Sequence, residues 1–179
     1  RIADSSKIYT NLGLVHAAIG EHELAVEQFR KATGADQYLA IAYFQCGVSN
    51  FLLERYELAL SDFEQTYLYM RGNTTIFNLY SAEVLFNKGL SMIYLGQLEE
   101  GLAGMREAER QQMTDAHKVI TDAVRDQGDG YTVFSMPMGV LYRPPEKKVK
   151  NTAPKNYIGK ATLVAAQETQ DLFTGFTGI

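Results

Sequence analysis

The 179-residue chain has no tryptophan and a single cysteine, Cys46. One thiol cannot close an internal disulfide, so packing must hold the fold, and a reducing, cytoplasmic setting is expected. Proline is scarce and confined: all four lie between Pro137 and Pro154, which leaves the first 136 residues free to build uninterrupted helices. No run of about 18 apolar residues occurs, so no membrane span is expected. A secretory signal is missing from the start, and the chain opens on Arg1 rather than Met, as a segment of a longer protein would. The three histidines, His16, His22 and His117, are scattered and lack the spacing of a metal site. The glycines of Gly101-Leu102-Ala103-Gly104 have no lysine beside them and cannot be a phosphate loop. The stretch Asp126–Gly130 resembles a calcium loop in composition only. With no catalytic set visible, no enzyme activity, metal or cofactor is expected.

Charge is uneven. Residues 1–142 carry 11 basic and 18 acidic side chains, whereas residues 143–179 carry 6 and 3. An acidic body excludes nucleic acid as the main partner.

What is present is a repeat. Ala25 and Ala59 are 34 residues apart, as are Phe29 and Phe63, and Gly13 and Gly47. A fixed period of this length marks a tetratricopeptide solenoid of helical hairpins. Gly13 and Ala25 fall on opposite helices of one hairpin, where small residues let two backbones approach. Phe29, one turn beyond Ala25, then fills the gap towards the next repeat. The expected fold is all-α, with a tetratricopeptide repeat domain over 1–127. Its repeats span about 6–37, 40–71 and 82–113, and a capping helix covers 115–125. The first helix is expected after an Asp4-Ser5-Ser6 cap, with Ile8, Leu12, Val15, His16 and Ile19 at helical spacing. His16 and Cys46 read as core residues, and Gly34 as the stop of the second helix.

The third repeat breaks the beat. Gly89 follows Gly47 by 42 residues, so extra residues fall within about 72–79. Insertions in solenoids go to one edge, often the binding edge. Beyond Gln127 an apolar, proline-containing tail over 128–154 cannot stay helical, and is expected to lie in the groove of the repeats or along the capping helix. A segment at 155–179 follows, apolar again from Tyr157 to Ala166, and suited to docking on another protein.

The tail carries Met136-Pro137-Met138-Gly139-Val140-Leu141-Tyr142-Arg143-Pro144, then Lys155-Asn156-Tyr157-Ile158-Gly159-Lys160-Ala161-Thr162-Leu163-Val164-Ala165, then Phe173-Thr174-Gly175-Phe176. With Leu39–Gln45, Arg71-Gly72-Asn73 and Ala82–Asn87 inside the repeats, this order of segments resembles the NADPH oxidase activator subunit family. That family includes fungal NoxR and mammalian neutrophil cytosolic factor 2. The resemblance implies a non-catalytic regulator whose inter-repeat loops bind a GTP-loaded Rac GTPase. Its activation segment would dock on the membrane NADPH oxidase and stimulate electron transfer from NADPH through FAD to make superoxide. It further implies a cytoplasmic protein recruited to membranes on activation. Carried over residue by residue, Ser6, Asp36, Tyr38, Arg71 and Asn73 are the Rac-binding set, Tyr38 standing where the mammalian protein has histidine. Tyr157, Ile158, Leu163 and Val164 are the residues of oxidase activation. The insertion after Asn73 is shorter than in the family, and the family's first repeat is largely missing. The alternative is a co-chaperone-type adaptor that grips a peptide in its concave groove. Such a clamp needs Lys, Arg and Asn for a terminal carboxylate, whereas the first-helix positions here carry Thr10, Leu14 and Gln45, with only Asn11 and Asn87 as partial matches.

Overall fold

A computed structural model describes residues 2–136 apart from Phe77. Six helices pair into three hairpins: α1 (Ile2–Ala18) with α2 (His22–Ala35), α3 (Ala40–Leu52) with α4 (Tyr56–Met70), and α5 (Ser81–Tyr94) with α6 (Leu98–Arg110). A 3₁₀ turn (Asp115–Lys118) leads into a short α7 (Val119–Arg125) that closes the array, burying Ile120 and Ala123. This is the tetratricopeptide architecture that the 34-residue period implies.

The small residues work at short range. A Cβ at Gly13 would lie 2.5 Å from the Phe29 ring, and one at Gly47 would lie 2.6 Å from the Phe63 ring. Each aromatic therefore sits in a seat that only glycine leaves open, with Ala25 and Ala59 buried alongside. Phe29 also clusters with Cys46 of α3, joining its hairpin to the next. In the third hairpin two glycines meet: a Cβ on either Gly89 or Gly101 would fall 2.6 Å from the other's carbonyl oxygen, and Met105 takes the place of the aromatic. A buried polar link adds to this packing. Arg30 of α2 forks onto Asp62 of α4 at 2.7 and 3.0 Å, and Asn50 of α3 donates to the same carboxylate. Burial raises the Asp62 pKa, and the Arg30 pair and Asn50 oppose that rise. Burial also pushes the Cys46 thiol up, so it packs as a small hydrophobe.

Several expectations for the first hairpin are corrected. Helix α1 runs from Ile2, so Asp4, Ser5 and Ser6 lie inside it rather than capping it. Gly34 is helical, and Asp36 ends α2 in extended backbone. His16 is not a core residue; it pairs with Glu21 across the turn at 2.8 Å, half exposed. Ile8, Leu12, Val15 and Ile19 are all exposed, because no described element covers that face of α1. Their spacing marks a helix but does not say what the helix packs on.

The inserted residues form a β-hairpin rather than a plain loop. β1 (Thr75–Ile76) pairs antiparallel with β2 (Leu79–Tyr80). Leu79 is fully buried and Tyr80 packs edge-on against His117 at 5.1 Å. No helix of the described residues is long and apolar enough to cross a membrane.

Two glycines separate the seat from simple propensity. Gly47→Ala should destabilise the chain by about 1–3 kcal/mol through overpacking against Phe63. Gly34→Ala has nothing within 4 Å of its new Cβ and should stabilise by about 0.5–1 kcal/mol. Denaturant midpoints of the two variants check both signs.

Candidate partner-binding surfaces

Two surfaces of a helical-repeat array can hold a partner: the concave wall lined by the first helix of each hairpin, and the edge where the hairpins join. The wall is taken by the chain itself. After α7 the backbone turns at Gln127, Gly128 and Gly130, all with positive φ, and continues without helix or strand through residues 131–136. The Asn87 carboxamide pairs with the main chain of Phe134 in both directions. Its Nδ2 donates to the carbonyl at 2.9 Å, and its Oδ1 accepts from the amide at 2.8 Å. Gln45 Oε1 accepts from the Met136 amide at 3.0 Å and from the Ser135 hydroxyl at 3.3 Å. Asn87 and Gln45 each stand two residues before a seat glycine, Gly89 and Gly47, so the same register that packs the hairpins aims these amides at the strap. The Phe134 ring is buried edge-on against Phe86 at 5.1 Å and faces His117 at 5.9 Å. Tyr131 bonds through its carbonyl to the Tyr94 hydroxyl and through its own hydroxyl to Asp126. Burial and that carboxylate push its pKa up to about 12.

The adaptor clamp positions Gln45 and Asn87 are thus engaged by the chain's own backbone, while Asn11 of α1 is exposed. Sequence reasoning missed His117, which is fully buried. Its Nδ1 accepts from the Met113 and Thr114 amides, so Nε2 carries the proton and donates to Glu83 at 3.1 Å. The ring ties the 3₁₀ turn to α5 and forms part of the floor under Phe134. A lone histidine in a polar stretch gives no signal of this, since its burial exists only once α7 has docked.

The edge is open. In the joint between α2 and α3, Asp36 Oδ1 accepts from the Tyr38 amide at 3.0 Å, and the Tyr43 hydroxyl donates to the Gln37 carbonyl at 3.0 Å. These bonds fix a turn that presents Tyr38, 54% exposed. At the next joint α4 stops at Arg71, in the left-handed region with φ 55°, followed by Gly72 at φ 80°. Asn73 caps the helix, its amide and its side chain both donating to the Met70 carbonyl. The Arg71 guanidinium lies over the Tyr38 ring, 5.6 Å from its centroid, and has no carboxylate partner among the described residues. The structure therefore brings Asp36, Tyr38, Arg71 and Asn73 to one edge. Ser6 is 2% exposed within α1, and its carbonyl accepts from the Thr10 hydroxyl. Tyr157, Ile158, Leu163 and Val164 lie outside the described residues. No group of three or more acidic, histidine or cysteine side chains able to hold a metal occurs among the described residues.

The tetratricopeptide repeat model matches residues 6–38. The chain is 31% identical over 181 aligned residues to neutrophil cytosol factor 2 of Mus musculus, covering 96% of this chain and 34% of that protein. It is 30% identical over 172 aligned residues to NADPH oxidase activator 1 of Rattus norvegicus, covering 90% of this chain and 38% of that protein. The chain thus spans about a third of the length of these relatives. Among solved structures, the first tetratricopeptide domain of Spaghetti, bound to an HSP90 peptide, superposes with a TM-score of 0.60 at 16% identity, covering 69% of this chain and 90% of that one. That likeness establishes the fold alone.

Removing the Asn87 carboxamide strands two buried backbone groups of the strap. Asn87→Ala should cost about 2–4 kcal/mol. Chemical denaturation measures the loss, and amide exchange at Phe134 should accelerate in step with it.

Proposed function

We propose that this chain, homologous over nearly all its length to NADPH oxidase activators, is a non-catalytic regulatory subunit of a superoxide-producing NADPH oxidase. Its hairpin joints bind a GTP-loaded Rac GTPase at the edge that carries Asp36, Tyr38, Arg71 and Asn73. Its C-terminal segment, with Tyr157, Ile158, Leu163 and Val164, docks on the catalytic subunit and favours the state that passes electrons from NADPH to FAD. On this reading the protein is cytoplasmic and moves to the membrane when the GTPase is loaded.

The observation that carries the proposal is the pairing of two joints on one free edge. Among the described residues the Arg71 fork of donors has no carboxylate within ion-pair reach, and Asp36 offers a carboxylate on the neighbouring joint. A groove-binding adaptor is the second reading. It is disfavoured because residues 131–136 occupy the first-helix wall at Gln45 and Asn87, where such an adaptor would hold its peptide.

The two halves of the proposal separate experimentally. A pull-down with Rac loaded with GTP or GDP should show nucleotide-selective binding, and Arg71→Glu should weaken it at least about tenfold, since it replaces a charge-assisted contact by repulsion. Binding indifferent to the nucleotide would remove the GTPase from the picture. With Rac binding intact, Leu163→Ala should lower superoxide output in a reconstituted oxidase; unchanged output would count against the docking role of that segment.

A further inference from the structure

Arg71 is fixed at its backbone but not, by that alone, at its tip. It ends α4 in a left-handed cap held by its amide on the Leu68 carbonyl. An exposed arginine on such a cap would ordinarily sample many rotamers, and ordering it on binding would cost affinity. What lies beneath it is a row of three tyrosines from three places in the chain. Tyr38 stands edge-on to Tyr69 of α4, centroids 5.4 Å apart and planes at 89°. Tyr69 packs on Tyr43 of α3, also at 5.4 Å. Tyr43 closes the circuit by donating to Gln37, the residue before Tyr38. The turn that carries Tyr38 is fixed again by Asp36. Tyr69 and Tyr43 are half-buried, whereas Tyr38 is exposed on the face that meets the guanidinium. The ring of Tyr38 is thus braced from below by aromatic packing and presents its π-face to Arg71.

We propose that Tyr38 is a positioning residue for Arg71: the Tyr43–Tyr69–Tyr38 row pre-orders the guanidinium across the two joints, with its N–H edges directed to a partner. This rests on the reading of the joint edge as the GTPase site and adds how that site is made ready. A cation–π contact with the ring occupies no N–H donor in a conventional hydrogen bond, so the five guanidinium donors stay available to carboxylate or carbonyl oxygens. Asp36, on the same turn, suits a donor on the partner. The partner surface for this edge therefore carries clustered oxygens opposite Arg71 and an N–H or O–H opposite Asp36.

One readout needs no partner. In the proton–nitrogen NMR spectrum the Arg71 Nε–H should be shifted upfield by the Tyr38 ring current. Tyr38→Leu should abolish that shift and Tyr38→Phe should keep it; an unshifted signal in the parent chain overturns the inference whatever binds the edge. The second readout is a double-mutant cycle by calorimetry with GTP-loaded Rac, using variants whose melting temperatures match the parent. Tyr38→Leu should weaken binding about fivefold, Tyr38→Phe should restore it, and Tyr38→Leu should cost nothing further in an Arg71→Ala background. An equal loss in both backgrounds would make Tyr38 a direct contact and overturn the positioning role while leaving the site intact. Unaltered affinity in Arg71→Ala itself would overturn the site reading, and is distinguished from failure of the inference by a shifted Arg71 signal in the parent chain.

Discussion

The contact between a glycine on the first helix of a hairpin and an aromatic ring on the second is the constraint on which this structure depends. At Gly13 and Gly47 the ring occupies the volume where a Cβ would be, so helix separation is set by the thickness of a phenyl ring on bare backbone. Once that distance is fixed twice with the same register, the positions two residues upstream are fixed as well. Gln45 and Asn87 face the concave wall because Gly47 and Gly89 face the partner helix. The carboxamide clamp on the strap is thus a consequence of hairpin packing and needs no separate device. The third hairpin shows how the constraint tolerates change: with Gly101 opposite Gly89 the backbones themselves touch, and a flexible methionine replaces the ring.

Filling the wall with the chain's own residues has two physical effects. It buries Val133 and Phe134, which an extended segment would otherwise expose to water, and it satisfies the strap's amides through side chains that imitate a neighbouring strand. It also removes the groove as a free surface. The open chemistry is left at the joints, where the helix ends must turn and where backbone polar groups, caps and long side chains reach solvent.

The repeats were legible because their determinants are local and periodic: a glycine, an alanine and an aromatic recurring at 34 residues, with a displaced third copy that locates the insertion at 72–79. For residues 131–136 the path along the wall was legible in outline, since an apolar segment with no helical future has to find a surface; residues 137–154 of the expected tail lie outside the described residues. Other features depend on contacts that periodicity does not encode. Asp4-Ser5-Ser6 has the chemistry of a cap but lies inside α1, and Gly34 has the chemistry of a stop but sits within α2, since residue propensity alone does not fix where a helix ends. Ile8, Leu12, Val15 and Ile19 have the spacing of a buried face and are exposed, since burial belongs to a pair of surfaces and not to one helix. Of the joint residues, Asp36, Tyr38, Arg71 and Asn73 meet on an edge as their loop positions imply. Ser6 lies inside α1 and is buried, where its sequence suggested a loop.

The meeting of Tyr38 and Arg71 is itself a product of the repeat. They belong to successive joints, and only a regular offset of one hairpin against the next stacks those joints in register. The buried Arg30–Asp62 pair, which spans the same two hairpins, fixes that offset in the interior, and Tyr69 fixes it at the surface. Breaking a buried pair of this kind costs about 3–5 kcal/mol when the remaining charge is left unpaired; Arg30 is partly exposed, so the lower end applies here. That energy opposes sliding of one hairpin over the other. A recognition edge assembled from two loops can therefore be as rigid as the helices behind it, and its geometry is inherited from a core that never touches the partner.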